Sequence, residues 1–218
     1  MIDLSLTLLA LMLGFKHSYD ADHLIAVSSI LRKVESLKSA IKVGFYWAVG
    51  HMATATLITV LLFIFREKVL NDMLPHFEKF VGIMLIVLGL ISFKDAFKFH
   101  IHAHKHGKIN HSHPHLHVKG EEQHFHNHMF GIGIIHGLAS NDELLVLFTA
   151  SLGITTIGGI LLGVGIFSIG VVLGMVLFTS IFSIPLLKIN SNNLYRFISF
   201  SIGSVSVGYG AFMALSLI

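Results

Sequence analysis

The sequence predicts an all-α, polytopic membrane protein: six transmembrane helices arranged as two inverted three-helix repeats. Three observations lead there. Hydrophobic residues make up 54% of the 218-residue chain and charged residues only 12%, with a mean hydropathy of +0.78; a soluble domain carries about twice that share of charge. The apolar residues fall in long runs. Residues 43–65, 153–187 and 197–218 contain no Lys, Arg, Asp or Glu, and each run is long enough as a helix to cross about 30 Å of hydrocarbon. Finally, polar clusters and glycine spacings in the first part of the chain reappear in the last part.

Taken in order, the spans are expected at roughly 3–31, 39–65, 77–98, 129–151, 154–187 and 194–218. The first apolar run, 4–15, has no basic start and no small-residue cleavage site after it, so it reads as part of the mature fold rather than a signal peptide. The third span is short, its apolar core at 80–93 bounded by Lys79 and Lys94. His76, between Pro75 and Glu78, is expected in the preceding loop as a surface residue. The fifth span exceeds what a straight crossing needs, so it tilts or ends at Pro185. Three units follow: a first half at 1–98, a His-rich cytoplasmic linker at 99–128 and a second half at 129–218. The linker is polar and lacks apolar periodicity, which predicts a flexible segment.

Basic residues set the expected orientation. Arg32, Lys33, Lys38 and Lys42 lie in or beside the first loop, and Lys94, Lys98, Lys105, Lys108 and Lys119 around the third. Lys188 and Arg196 flank the fifth, whereas Arg66, Lys68 and Lys79 are alone in the second. The odd-numbered loops are therefore expected in the cytoplasm and both termini outside, in a multi-pass cell-membrane protein. The repeat reading rests on His17-Ser-Tyr-Asp-Ala-Asp22 set against His136-Gly-Leu-Ala-Ser-Asn141-Asp142-Glu143, and on Gly82 and Gly89 matching Gly203 and Gly210 in spacing. An odd number of spans per half makes the halves face opposite ways, a plan found in secondary transporters.

The absence of cysteine excludes disulfides and thiolate chemistry. The 16 histidines are the unusual feature. Lys16-His17-Ser18-Tyr19-Asp20-Ala21-Asp22-His23 lies inside the first span. Ionisable groups at membrane depth are expensive and usually mark an ion or proton route. On an ideal helix His17, Asp20 and His23 follow at three-residue steps while Asp22 points elsewhere. A local break would bring all four together. Imidazole nitrogen with carboxylate oxygen suits nickel, cobalt or zinc; the competing reading is a set of polar contacts that only hold two helices together. His51, after Gly50 in the second span, is a ligand or supports one, although a lone buried histidine is often just a hydrogen-bonded core residue. Gly50 permits close helix approach. His136, Asp142 and Glu143 form the counterpart in the fourth span. In the linker, His100, His102, His104 and His106, then His111, His113, His115 and His117, then His124, His126 and His128, alternate with other residues. Such a tract binds late divalent metals weakly and reversibly.

Three of these segments carry a family resemblance. His17-x-x-x-x-Asp22-His23 resembles the HxxxxDH motif of the nickel/cobalt transporter superfamily, and Gly50-His51 its second, GH-containing motif. Ile135-His136-Gly137-Leu138-Ala139 resembles the HGLA segment of the urease accessory protein H-like branch. Met52 stands where serine is usual after GH, and the later acidic motif of the importers is not visible. The resemblance spans about 14–145 and implies passage of Ni2+ or Co2+ as substrate, with no cofactor, through a site including His17, Asp22 and His23, with His51 in support. Uptake is the expected direction; a proton-coupled exporter is the alternative. The expected partners are the lipid bilayer and the divalent ions, with a cytoplasmic metallochaperone as the further partner considered and no nucleic acid. An enzyme is not expected. HxxxxD alone also resembles membrane glycerolipid acyltransferases, but the loops are too short to hold an acyl donor and acceptor. A membrane-anchored metal buffer would not bury Asp20 and Asp22.

Overall fold

The computed structural model describes residues 4–65, 68–98, 100–106, 109–115, 125–138, 156–189 and 191–215. Among them the body is helical. α1 is Leu4–His17, α2 Ala21–Leu31, α3 Leu37–Phe65, α4 Lys68–Lys98, α5 Phe125–Gly137, α6 Ile157–Leu187 and α7 Asn192–Leu215. Leu37–Leu61, His76–Phe97, Ile157–Leu187 and Asn192–Leu215 are each long and apolar enough to cross a membrane. Large apolar side chains such as Leu57, Phe80, Leu90, Ile169, Leu173 and Phe212 face outward from the bundle, which is what a lipid-facing surface requires.

The bundle is held by close backbone contacts. α1 packs on α6, with Gly14 against the Phe167 carbonyl and Gly170 against the Leu11 carbonyl. α5 packs on α3 in the same manner, with Gly133 against the Trp47 carbonyl and Gly50 against that of Phe130. α4 and α7 cross in antiparallel fashion. A Cβ on Gly82 would lie 2.7 Å from the Gly210 oxygen, and one on Gly89 2.8 Å from the Gly203 oxygen. Small residues let membrane helices approach this closely, and dispersion contacts then replace a hydrophobic driving force. Ser206 on α7 adds a hydrogen bond to the Leu85 carbonyl of α4 at 2.7 Å.

Several expectations need correction. The first span is two helices, α1 and α2, separated at residues 18–20. α4 starts at Lys68, so Pro75 and His76 lie within a helix rather than a loop; His76 is exposed, as expected. α6 continues through Pro185 to Leu187, aided at its start by the Thr156 hydroxyl, which accepts from the Gly159 amide. Proline in the last turn removes one amide donor without ending the helix there. The His-rich segment is not wholly irregular: β1 (His100–His106) and β2 (Ile109–His115) pair as an antiparallel hairpin, the departure from an all-α chain among the described residues. Arg32 is not a free loop charge. It is buried at the end of α2, where its guanidinium donates to Asp95 of α4 at 2.8 Å, and Lys33 reaches the same carboxylate at 2.6 Å.

Candidate metal centre

The break between α1 and α2 builds the site. The last turn of α1 tightens: the Tyr19 amide bonds the Lys16 carbonyl at 2.9 Å and the Asp20 amide the His17 carbonyl at 3.1 Å. Asp20 is extended, with φ −63° and ψ 146°, and opens α2. Asp22 then falls in the first turn of α2, where the helix dipole favours a carboxylate. The carbonyl of His17, freed at the end of α1, also accepts a hydrogen bond from Nδ1 of His23 at 2.9 Å. That bond places a proton on Nδ1, so that Nε2 is the nitrogen a neutral ring would offer to a metal.

Four helices contribute imidazoles or a carboxylate. His17 is buried at the end of α1, His23 in α2, His51 in the middle of α3 and His136 in α5. Donor atoms of His17, His23 and His51 lie within 4.8 Å of one another, and so do those of Asp22, His23 and His136. His23 belongs to both groups. Nε2 of His136 donates to Oδ2 of Asp22 at 2.9 Å, while Nε2 of His23 stands 3.7 Å from the same oxygen. Nδ1 of His17 lies 2.7 Å from Oδ2 of Asp20, whose side chain is 36% exposed.

His51 is the diagnostic residue. Its side chain is fully buried, and neither ring nitrogen has a hydrogen-bond partner. Leaving buried polar atoms unsatisfied costs about 1–3 kcal/mol each, so a position that tolerates two of them is one where a ligand can repay the loss. Its ring stacks on Trp47 with centroids 4.9 Å apart and an interplanar angle of 12°. Trp47 also meets the His23 ring edge-on at 5.0 Å and that of His136 at 5.4 Å. The indole therefore forms an apolar wall that restricts three imidazoles at once. Nitrogen and oxygen donors without sulfur, shielded from water, suit a divalent ion such as nickel, cobalt or zinc and disfavour Cu(I).

Of the residues singled out from sequence, His17, Asp22, His23, His51 and His136 come together, with Asp20 at their edge. Asp142 and Glu143, with Asn141, lie outside the described residues. Trp47 was not anticipated. It is the only tryptophan of the chain and precedes His51 by one helical turn, and that spacing was the available signal.

Comparison with known proteins follows the same direction. The chain is 31% identical over 182 residues to urease accessory protein UreH of Bacillus sp. (strain TB-90), covering 84% of this chain and 78% of that one. It is 33% identical over 94 residues to the nickel transporter NixA of Staphylococcus aureus (strain NCTC 8325 / PS 47), covering 39% of this chain and 28% of the relative. The high-affinity nickel-transport protein NixA of Helicobacter pylori (strain ATCC 700392 / 26695) is 31% identical over 93 residues, covering 38% of this chain and 28% of its own. No family model and no solved structure matches the chain.

Proposed function

Because the chain belongs to the nickel/cobalt transporter superfamily, which includes the UreH-like branch, we propose that it carries Ni2+, and Co2+ with it, into the cell through the buried cluster of His17, Asp22, His23 and His51. The observation that carries this reading is the doubly unsatisfied, fully buried imidazole of His51 beside His17 and His23. An ion pair or a packing contact would leave its nitrogens hydrogen-bonded or exposed. In this reading His17, His23 and His51 supply nitrogen ligands and Asp22 an oxygen. His136 orients the carboxylate through its hydrogen bond, Asp20 steadies His17, and Asp142 and Glu143 complete the second-half side of the site.

The same proposal includes an inverted repeat of two three-helix halves. Its support is reciprocal packing: Gly14 and His17 match Gly133 and His136 at one offset along the chain, and the helix bearing each pair meets the first long helix of the other half, α1 on α6 and α5 on α3. The α4 and α7 glycines contact each other in pairs. A site at the interface of such repeats, next to a broken helix, fits the plan of secondary transporters. Inward movement of a divalent cation is favoured by a negative-inside potential at about 2.3 kcal/mol per charge per 100 mV, so uptake needs no nucleotide-driven partner.

The test is accumulation of radioactive nickel by cells expressing the wild type, His17→Ala or His51→Ala at equal membrane levels. Wild type should raise cell-associated nickel and both variants should return it to background. Unchanged accumulation in the variants would remove the site assignment, and lower nickel in wild-type cells than in empty cells would assign export.

A further inference from the structure

The break between α1 and α2 lies deep in the bundle and is nevertheless open. Ser18 sits against Gly174, near the middle of the 31-residue α6, and His51, in the middle of α3, belongs to the same donor group as His17. At this depth Tyr19 is 37% exposed and Ala21 is exposed beside it. Side-chain exposure then falls along one line of polar groups, from 36% at Asp20 to 18% at Asp22, 7% at His17 and none at His51. An ionised carboxylate is expensive against hydrocarbon and at membrane depth faces a polar cavity or another protein group. The exposed side of Asp20 therefore meets water, and the line behind it ends at an imidazole with no hydrogen-bond partner on either nitrogen.

Helix packing explains the opening. α1 packs on α6, whereas α2 packs on α4 and α7 as well as on α3 and α6. The chain thus leaves one group of helices for another at residues 18–20. On its own side of the break α2 fills the space between the groups, and residues 26–32 are all buried. On the other side, among the described residues, α1 has no comparable packing on α4 or α7. Across this gap the carboxylates of Asp22 and Asp20 act through space on the Tyr209 hydroxyl of α7. We propose that the gap between α1 and the α4–α7 pair is the water-filled mouth of the metal route, faced by Asp20 from one wall and Tyr209 from the other, open on the side of the membrane where α1 begins and closed by α2 on the opposite side. Its ligand is a hydrated divalent cation. The oxygen groups of the mouth suit an ion that still carries water, and the imidazoles behind them suit a late transition metal that exchanges water for nitrogen. This inference rests on the reading of the buried cluster as a route for Ni2+ and on the orientation that puts the start of α1 outside.

The test is thiol accessibility in the full-length protein in intact cells, with 2-(trimethylammonium)ethyl methanethiosulfonate as the probe. This reagent is charged and membrane-impermeant, and it attacks the thiolate, which forms in water and not in hydrocarbon. The chain has no cysteine, so each introduced one reports alone. Ala21→Cys reports the floor of the mouth and Tyr209→Cys its far wall. Leu173→Cys is the control, because Leu173 adjoins Gly174 at the same depth and is 54% exposed on the outward apolar surface. Ala21→Cys and Tyr209→Cys should be modified from outside, Leu173→Cys should not, and modification of Ala21→Cys should abolish its Ni2+ uptake. Equal modification at all three positions, or at none, would overturn the proposal. So would modification of Ala21→Cys only after permeabilisation, which puts the opening on the other side, or modification that leaves uptake intact. An interchain disulfide at Ala21→Cys with no modification would overturn it as well, since a second copy of the chain would then cover the break. Labelling is scored without transport and should be unchanged when Ala21→Cys is combined with His51→Ala, so failure of the mouth is distinguishable from failure of the site assignment.

Discussion

At the residue scale, the two aspartates of the first cluster separate by environment. Asp22 accepts a hydrogen bond from buried His136 and shares a donor group with His23. Asp20 meets His17 but is 36% exposed. Asp22→Asn keeps the shape and removes the charge and one acceptor. We expect it to raise the apparent KM for nickel at least about 10-fold, the range seen when groups around a metal are lost, while Asp20→Asn shifts it by about 3-fold or less because solvent can replace it. Concentration-dependent nickel uptake measures both, and equal shifts would refute the ranking. The residue types were legible in the sequence because ionisable groups in an apolar run have few other reasons to be there. Their convergence was only partly legible. An ideal helix turns Asp22 away from His17, and residues 16–23 contain no glycine or proline to announce a break. Trp47 escaped notice because an aromatic residue in an apolar span ordinarily reads as packing. Its wall-like contact with three histidines depends on α2 and α5 arriving from elsewhere in the chain.

At the element scale, α2, α4 and α7 are tied by one buried polar network. Arg32 donates from Nη2 to Asp95 at 2.8 Å and from Nε to the Ser29 carbonyl at 2.9 Å, and its Nη1 stands 3.4 Å from both the Tyr195 and Ser199 hydroxyls. Asp95 is the anion these contacts provide for two cations, Arg32 and Lys33. Removing it alone strands a buried guanidinium, a loss of roughly 3–5 kcal/mol. Asp95→Ala should therefore lower the unfolding midpoint in detergent strongly. Arg32→Met/Asp95→Leu should recover most of the loss, since Lys33 is partly exposed and can extend to water. A double variant no more stable than Asp95→Ala would show that the network is not the cause. Sequence reading placed Arg32 among loop charges because basic residues at the end of a span usually are solvated. Its partner lies in α4, and nothing local points to it. The hairpin is hidden for a different reason: the polar composition of the segment masks its period. The alternation of His100 to His106 is itself a strand signal, but with histidine in place of an apolar residue it reads as solvated chain.

At the scale of the whole molecule, the number of membrane crossings decides whether the two halves are inverted. Leu37–Leu61, His76–Phe97, Ile157–Leu187 and Asn192–Leu215 can each cross alone. The proposed six-span plan needs two more crossings, the first in the region of α1 and α2 and the fourth in that of α5. The absence of cysteine makes this directly measurable. Glu35, His76 and Ser191 are exposed, in the α2–α3 link, near the start of the third span and just before α7. A membrane-impermeant maleimide applied to intact cells should label His76→Cys. It should label Glu35→Cys and Ser191→Cys only after permeabilisation. The basic residues predict that pattern, since Lys33, Lys38 and Lys188 lie beside the last two positions and cytoplasmic loops are enriched in Lys and Arg. Four crossings separate Glu35 from Ser191 if the fourth span traverses the bilayer, and three if it does not. Labelling of Ser191→Cys from outside, with Glu35→Cys protected, would therefore remove the fourth span. The second half would then hold two crossings instead of three, and the inverted repeat would fall with it, whatever the fate of the metal site.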